Sequence, residues 1–393
     1  MFVICTHAVQ GGAWKRLVEA LRHLASEYEC HLITYSNPDL HELREFEGLT
    51  VHEIKVPHNE RSTFRFARST YAVLCDIEFP DDKTVWCGSF SGNSGLALSF
   101  YKLMTNRSFS IFSFRRGANL KRLKMRLGRD GSSVVHQFIG SAFHKFLTHV
   151  QLNFSDLLIT QTGVGLRELQ DDYPDSIPSR VAVLPNNVNT KWIERQRRNA
   201  EHSTFQFEDE RFLVCFVGRI ELKKKGVDTL LESIALLRDE PIAFDLVGSG
   251  PDLKEVKRFV NEHSLDDSVR LHGWMANPLS VMKQADLVVV PSRSDPLPNV
   301  VLEAFAMDKP VIGSNVDGIP IMLNHPSLLF EPGDGKQLAS LIRQVQSDEN
   351  YYEKIKRICC HRASHYHFDW GERFEEIFAD GQYHTNAIGH GGN

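Results

Sequence analysis

The sequence predicts an α/β protein built from two Rossmann-like, doubly wound domains in tandem. Short apolar runs rich in β-branched residues alternate with helical patterns along most of the chain, and strands that alternate with helices form parallel sheets. A charged, polar stretch at 189–210 interrupts this alternation, which then restarts. The length of 393 residues also suits two domains better than one.

The first domain is expected to span residues 1–190. Its first strand is FVICT at 2–6, followed by a turn at Gly11 and Gly12 and then a helix with leucines at helical spacing. The further strand candidates lie at 30–35, 50–56, 84–88, 110–114, 156–160 and 181–184. Helix-like stretches separate them, as a doubly wound sheet requires.

The second domain is expected to span residues 211–366, after a linker at 191–210. Its predicted strands lie at 212–218, 242–248, 268–273, 286–290 and 310–314. Residues 367–393 are expected to form a C-terminal helix that packs back on the first domain, plus a tail. Ligands in such folds bind beyond the carboxyl ends of the strands, so the residues that follow each strand matter most.

Composition and cysteine usage exclude several classes of protein. The formal net charge of -5 gives no global sign of a nucleic-acid partner. No apolar run approaches the roughly 20 residues that span a bilayer, and the N-terminus lacks the features of a signal peptide, so a cytoplasmic protein is expected. Seven cysteines without a C-x-x-C pattern favour neither a zinc site nor a disulfide framework, and Cys5, Cys30 and Cys215 are expected to be buried free thiols.

Basic residues follow the first strand of the second domain. Arg219 comes directly after it, and Lys225 with Gly226 lies at the start of the next helix. A helix N-terminus favours anions, so an Arg and a Lys here could hold a diphosphate without a metal ion. Gly250, in the turn after the next strand, would let the backbone approach a ligand. A solvated helix cap at 223–225 and a plain tight turn remain the alternative interpretation.

The stretch VVVPSRSDPLPNVVLEAFAMDKPVIGSN at 288–315 places two acids around a loop. Asp295 lies in the loop after a buried strand, and Pro298 presets the start of a helix. Glu303, about a turn into that helix, can point at the same cavity. The unpaired amides of the helix start suit hydroxyls or phosphate. Two carboxylates beside a diphosphate site suit the hydroxyls of a sugar.

Residues 218–320 resemble the second domain of the GT-B glycosyltransferases of family 4, a retaining group that uses nucleotide sugars. The motifs are FVGRIELKKKGVDTLLES, LVGSGP, VRLHGW and ADLVVVPSRSDPLPNVVLEAFAMDKPVIGSNVDGIP, with HFDW near the end. The first half is similar more loosely, through Gly11 and Gly12 and the run VAVLPNNVNT. The resemblance implies the GT-B fold, in which two Rossmann-like domains face each other across a cleft.

The resemblance also implies roles for individual residues. Arg219 and Lys225 match the pair that grips the diphosphate and stabilises the leaving group. Asp295 matches the acid that contacts the donor hexose, and Glu303 matches the acid of the E-x7-E motif that holds the ribose. The implied donor site further contains Gly11, Gly12, Gly218, Gly250, Leu297, Pro298, Asn299 and Val300. No metal ion or other cofactor is implied.

The implied reaction moves a sugar from a nucleoside diphosphate, expected to be UDP, to a glycan or lipid-linked acceptor in cell-envelope polysaccharide synthesis. Two departures from the family affect it. Asp295 stands where the family has Glu, followed by Pro296 instead of Gly, so contacts to the donor can differ. Arg115 and Arg116 precede a glycine where the family often has His, so no His base is assigned. A retaining front-face reaction does not need one, because the departing phosphate oxygen can take the acceptor proton.

The acceptor side is marked by a basic stretch at 115–129. It holds seven Arg and Lys residues, with leucines at helical spacing. This pattern suits peripheral contact with an anionic membrane surface, and it equally suits an ordinary solvated helix. Arg115, Arg116 and His136 are the candidates for the acceptor site or the cleft.

Two other classes of function fit the same residues. One is a nucleotide-sugar-binding protein that has lost transfer, which the changes at Asp295 and Pro296 would allow. The other is a GT-B-fold enzyme of another kind, such as an epimerase or a phosphorylase. Turnover with an acceptor separates transfer from binding alone, and donor consumption without an acceptor would point to an epimerase or a hydrolase.

Overall fold

The chain divides into two units in a computed structural model that describes residues 1–6, 12–37, 40–56, 62–81, 84–90, 95–105, 107–115, 134–188, 194 and 210–379. The first unit comprises Met1–Asn186 together with a segment that begins at Asp369, and the second unit comprises Asn187–Phe368. The last described helix therefore belongs to the first unit, although it follows the second along the chain.

The described residues of the first unit form a seven-stranded parallel sheet with the order β3-β2-β1-β4-β5-β6-β7. The strands are β1 Phe2–Thr6, β2 Cys30–Tyr35, β3 Leu49–Ile54, β4 Trp86–Ser89, β5 Ser110–Arg115, β6 Leu157–Thr160 and β7 Arg180–Val183. The helices between them are α1 Gly12–Glu27, α2 Leu40–Leu43, α3 Thr63–Asp76, α4 Leu96–Met104, α5 Val134–Asn153 and α6 Gly163–Asp172. The central strands β1, β4, β5 and β6 are almost entirely buried, because helices cover a parallel sheet from both sides, whereas the edge strands β3 and β7 are only partly buried.

The second unit forms a six-stranded parallel sheet with the order β10-β9-β8-β11-β12-β13. The strands are β8 Phe212–Val217, β9 Ile242–Val247, β10 Val269–Gly273, β11 Leu287–Val290, β12 Val311–Ser314 and β13 Leu329–Phe330. The helices are α7 Val227–Leu236, α8 Leu253–Glu262, α9 Leu279–Met282, α10 Asn299–Ala306, α11 Ile319–Leu323, α12 Gly335–Ser347 and α13 Glu349–Ser364, with a 3-10 turn at Pro326–Leu328. The strand order reverses beside β8, which pairs with β9 on one side and β11 on the other.

Helix α14, Trp370–Ala379, is part of the core of the first unit. The indole nitrogen of Trp370 donates a hydrogen bond to the carbonyl oxygen of Pro185 at 2.9 Å. The ring of Phe374 packs against Phe90 and Phe112, with centroids 5.7 Å apart in both pairs. Aromatic residues four apart give α14 the apolar stripe that holds it on the sheet.

The predicted strands are confirmed, and each begins and ends within two residues of its expected bounds. The prediction that Cys5, Cys30 and Cys215 are buried free thiols is also confirmed. Burial raises the pKa of the Cys30 thiol to about 12. Strand β13 was not expected, because two residues are too few for a periodic pattern.

Candidate functional site

Two loops of the second unit meet where the strand order reverses. One follows β8 and the other follows β11, and both lie at the carboxyl edge of the sheet. Gly226 ends the first loop with a left-handed φ of +65°, and a side chain there would have its Cβ 1.8 Å from the carbonyl oxygen of Pro291. Only glycine can therefore bring these two loops so close together.

Lys225 and Asp295 connect these two loops. The ammonium nitrogen of Lys225 lies 2.5 Å from a carboxylate oxygen of Asp295. Their side chains are 26% and 14% exposed, so the pair is largely shielded from water and interacts more strongly than a surface ion pair. The structure thus brings together the predicted phosphate-binding Lys and the first predicted sugar-binding acid.

Arg219 lies on the same loop but is more exposed. Its side chain is 64% exposed, and its Nε atom lies 3.1 Å from an oxygen of the buried Glu221. The backbone amide of Lys225 donates to the carbonyl oxygen of Glu221 at 3.1 Å. Both predicted phosphate-binding cations therefore face a carboxylate in this structure, and a phosphate group at either one must compete with it.

Glycines in the loops after β8 and β9 lie close to other atoms of the second unit. A Cβ on Gly250 would lie 2.2 Å from the carbonyl oxygen of Ile220, and a Cβ on Gly218 would lie 3.1 Å from the ring of Phe216. Gly248, with φ of +141°, lies against the carbonyl oxygen of Gly218. Gly248 and Gly250 thus allow the loops after β8 and β9 to pack backbone on backbone, and the tight-turn interpretation explains both glycines without a ligand.

Helix α10 begins directly after the loop that carries Asp295. Pro298 is its N-cap, with φ of -66° and ψ of 121°, and Asn299 is its first residue. Leu297 is buried and Val300 packs against the core of the unit, and since both side chains are apolar, these two residues can donate or accept hydrogen bonds only through their backbone. Glu303 is half-buried one turn into α10.

Arg293 and Asp228 were not among the predicted site residues, yet they connect the loop after β11 to the first turn of α7. Arg293 Nη1 lies 2.5 Å from Asp228 Oδ1, and Lys223 Nζ lies 3.0 Å from the other oxygen of Asp228. Burial disfavours ionisation of Asp228, but its hydrogen bonds to Arg293 and Lys223 outweigh that effect and lower its pKa. The signal in the sequence was an Arg in a loop directly after a buried strand.

Asp317, an acid outside the predicted site, lies next to the loop that carries Asp295. Asp317 has a left-handed φ of +50°, and its carboxylate accepts a hydrogen bond from the Ser294 hydroxyl at 3.0 Å. Ser294 precedes Asp295, so this bond ties the loop after β12 to the loop after β11. A non-glycine residue in the left-handed region costs energy, and neighbouring contacts must hold it there.

The candidates in the first unit are only partly described. Arg115 is the last residue of β5 and is 3% exposed, so its predicted place in an exposed basic helix is wrong, and the rest of that stretch, 116–129, lies outside the described residues. Its Nη2 donates to Gln151 Oε1 at 2.8 Å, and burial lowers its pKa to about 10. Gly11 and Arg116 lie outside the described residues. Gly12 is the first residue of α1 and His136 lies in α5, and only their backbones are described.

Neither a metal cluster nor a membrane-crossing helix is found in the described ranges. No group of three or more His, Cys, Asp or Glu side chains there has the proximity that a metal ion needs. No helix in that part of the chain has both the length and the apolar character to cross a membrane.

The two-unit architecture is that of solved structures such as WaaG, a glycosyltransferase involved in lipopolysaccharide biosynthesis, which superposes with a TM-score of 0.67 at 17% sequence identity. The structure of HepE from Anabaena, solved in complex with UDP, superposes with a TM-score of 0.72 and covers 96% of this chain and 99% of HepE at 15% sequence identity. The chain therefore has the α/β, two-domain GT-B glycosyltransferase fold.

Sequence comparisons match most of the second unit to glycosyltransferases. Residues 197–358 match the family model of the glycosyl transferases group 1, and this range contains both loops described above. The chain is 30% identical to the lipopolysaccharide core biosynthesis glycosyltransferase LpsD of Rhizobium meliloti, over 37% of this chain and 42% of LpsD. It is 27% identical to the alpha-D-kanosaminyltransferase of Streptomyces kanamyceticus, over 51% of this chain and 53% of that enzyme. The matched segments thus span about half the length of these relatives.

Proposed function

We propose that this protein is a nucleotide-sugar-dependent glycosyltransferase that moves a sugar from a nucleoside diphosphate to a glycan or lipid-linked acceptor. The observation that carries the proposal is the Lys225–Asp295 pair at the switch point of the second sheet. It lies within the segment that matches the glycosyl transferases group 1. UDP is the nucleotide we propose, because HepE was solved with UDP and with UDP-glucose.

In this proposal the second unit binds the donor. Lys225 and Arg219 stabilise the negative charge that develops on the diphosphate as its bond to the sugar breaks. Asp295 and Glu303 accept hydrogen bonds from hydroxyls of the hexose and the ribose. Two cations neutralise the leaving group in place of a metal ion, so transfer is expected to continue in the presence of a chelator.

The proposed stereochemistry is retention, as in family 4. No His base is required, because the departing phosphate oxygen takes the proton of the acceptor hydroxyl on the same face of the sugar. The protein then contributes mainly orientation and electrostatic stabilisation. Lipopolysaccharide and capsular polysaccharide synthesis in the names of relatives supports an acceptor of the cell-envelope class.

We also propose that the first unit contacts a membrane from one side, as a peripheral protein. Helices α3, α4 and α5 carry large exposed apolar side chains, namely Phe64, Phe100, Leu103, Met104, Phe143 and Phe146. Exposed Arg65, Arg68 and Lys145 lie on α3 and α5, and apolar groups mixed with basic ones suit an anionic lipid surface. The basic residues at 116–129 lie outside the described residues.

The donor proposal is tested by thermal unfolding with UDP, GDP, ADP and CMP. A ligand at 100 times its dissociation constant should add about 2.7 kcal/mol to the free energy of unfolding. We expect one nucleoside diphosphate to stabilise the wild type and to have little effect on Lys225→Ala and Glu303→Ala. If none of the nucleotides shifts the transition of the wild type, the donor site is wrong.

The class of reaction is tested by following a UDP-sugar with and without an acceptor. Release of UDP only when an acceptor is present supports transfer. Consumption of the donor without an acceptor would indicate an epimerase or a hydrolase, and binding without turnover would indicate a protein that has lost transfer. The changes at Asp295 and Pro296 make this last outcome worth measuring directly.

Membrane contact is tested by sedimentation with vesicles of neutral and anionic phospholipid. The double variant Phe143→Ser, Phe146→Ser should lose most of its binding to anionic vesicles. Leu236→Ser, which removes an exposed apolar side chain from α7 in the second unit, is the matched control and should bind as the wild type does. Equal sedimentation of all three proteins would contradict the proposed surface.

A further inference from the structure

We propose that Arg293 is a positioning residue that fixes Lys225 in the donor site. Arg293 lies in the loop after β11, two residues before Asp295, and its side chain reaches back to the loop after β8. This inference rests on the proposed donor site and extends it, because neither the family motif nor the resemblance assigns Arg293 a role.

Arg293 binds the loop after β8 through its guanidinium group and through its backbone amide. Nη1 donates to the carbonyl oxygens of Leu222 at 3.2 Å and Lys223 at 3.3 Å. The backbone amide of Arg293 donates to the carbonyl oxygen of Lys224 at 2.9 Å. Three successive carbonyl groups, ending at the residue before Lys225, are therefore held by a single residue of the neighbouring loop.

The same group also binds the first turn of α7. Nη1 lies 2.5 Å from Asp228 Oδ1, and Nη2 donates to the Thr229 hydroxyl at 2.9 Å. The planar guanidinium has donors that point in several fixed directions, which a lysine ammonium on a flexible chain cannot reproduce. Arg293 thus clamps the β8 loop from both ends, before and after the short segment that contains Lys225 and Gly226.

The consequence of this clamp is a fixed position for the Lys225 ammonium group. The pairing of Lys225 with Asp295 requires a constant distance between the two loops. Arg293, which lies on the same loop as Asp295, holds that distance through its hydrogen bonds to the loop after β8. Electrostatic stabilisation of a leaving group depends on charges that are already in place when the bond breaks. A small displacement of Lys225 should therefore weaken both nucleotide binding and transfer.

The test compares UDP binding by the wild type with Arg293→Gln and Arg293→Lys, measured by calorimetry well below each unfolding transition. We expect both variants to bind UDP at least tenfold more weakly and to lose transfer to a similar extent. Arg343→Gln is the matched control, because Arg343 in the same unit pairs with Glu240 at 2.9 Å away from these loops. It should bind UDP as the wild type does.

A double-mutant cycle separates positioning from general damage. If Arg293 acts through Lys225, the variant with both Lys225→Ala and Arg293→Gln should bind UDP no more weakly than Lys225→Ala alone. Losses that multiply would show that Arg293 acts independently of Lys225 and would overturn the proposal. A merely structural role would lower the unfolding temperature of Arg293→Gln and leave its UDP affinity unchanged, which would also overturn it.

Two other results need separate treatment: an Arg293→Gln variant that does not fold, and a wild type that binds no nucleoside diphosphate. If Arg293→Gln does not fold, Asp228→Asn decides, since it keeps the size of the side chain and removes the charge that orients Arg293. We expect a loss of UDP affinity of a few fold, and an unchanged affinity would contradict the clamp. If the wild type itself binds no nucleoside diphosphate, the proposed donor site fails, whereas equal binding by wild type and Arg293→Gln contradicts only the role of Arg293.

Discussion

The ammonium nitrogen of Lys225 and a carboxylate oxygen of Asp295 lie 2.5 Å apart, although seventy residues separate them along the chain. Each group is held by the other at the carboxyl edge of the second sheet. A phosphate that binds the ammonium group must exchange with the carboxylate, so the two side chains are expected to respond in opposite ways to substitution.

Lys225→Ala should lower transfer at least about a hundredfold while the protein stays folded, on the scale of losing one oxyanion-stabilising donor. The reason is that the leaving diphosphate loses the cation that lies deepest in the site. Steady-state transfer assays beside circular dichroism measure both quantities. Lys354→Ala is the control, because Lys354 is exposed on α13 and outside these loops, and comparable losses in both variants would contradict a special role for Lys225.

Asp295→Asn should bind UDP more tightly than the wild type, by up to about tenfold, while transfer falls. The neutral amide competes less with phosphate for Lys225, and a hydrogen bond to a charged group contributes roughly 1.5 to 3 kcal/mol. Transfer falls because the amide is a poorer acceptor for sugar hydroxyls than a carboxylate. Calorimetry measures the affinity for UDP, and the transfer assay measures the rate of transfer. Weaker binding of UDP by Asp295→Asn would contradict the view that Asp295 competes with phosphate for Lys225.

Gly226→Ala should disrupt the approach of the two loops. The residue has φ of +65°, and its Cβ would lie 1.8 Å from the carbonyl oxygen of Pro291. We expect a loss of about 1 to 3 kcal/mol in the free energy of unfolding together with weaker UDP binding. Gly163→Ala in α6 is the control, since its Cβ would meet no atom within 4 Å, and a similar cost at both positions would contradict the steric argument.

Glu375→Gln should loosen α14 from the first unit in a pH-dependent way. Glu375 accepts a hydrogen bond from the Tyr28 hydroxyl at 2.5 Å and lies 2.5 Å from His23. The Tyr28 hydrogen bond lowers the pKa of Glu375, burial opposes the shift and His23 adds to it. The stabilisation is therefore present above the pKa of the unfolded state and is lost as the pH falls through the lower pKa of the folded state.

Urea unfolding between about pH 3 and pH 7 measures this effect. The difference between wild type and Glu375→Gln should be about 1 to 2 kcal/mol near neutral pH and should shrink below the usual glutamate pKa of about 4.3. Glu372→Gln, on the exposed side of α14, should show no such dependence. A constant difference across the range would mean that the charge of Glu375 does not stabilise α14.

The sequence predicts the sheets well and the site only in part. Strands of the buried parallel sheets appear as continuous apolar runs, so their bounds could be read with an error of two residues or less. The loop positions of Lys225 and Asp295 followed from the same runs. Their direct contact could not be predicted, because a pairing between loops depends on the order of strands, which the residue pattern does not specify.

The contacts of Arg293 could not be predicted from the sequence either. Most of its partners are backbone carbonyl groups at Leu222, Lys223 and Lys224, and a carbonyl group carries no sequence signature. Arg115 was expected in a basic surface stretch because it precedes another Arg. The structure buries it at the end of β5, where the preceding apolar run of the strand continues.

The place of α14 in the first unit has a consequence for synthesis of the chain on the ribosome. Phe90 and Phe112 are buried partly by Phe374, which is translated only after the whole second unit has been made. At roughly 5 to 20 residues per second, the nascent first unit would wait on the order of ten seconds or more with these aromatic rings uncovered. Release from the ribosome, and any chaperone that binds such rings meanwhile, then becomes part of how this protein reaches its native state.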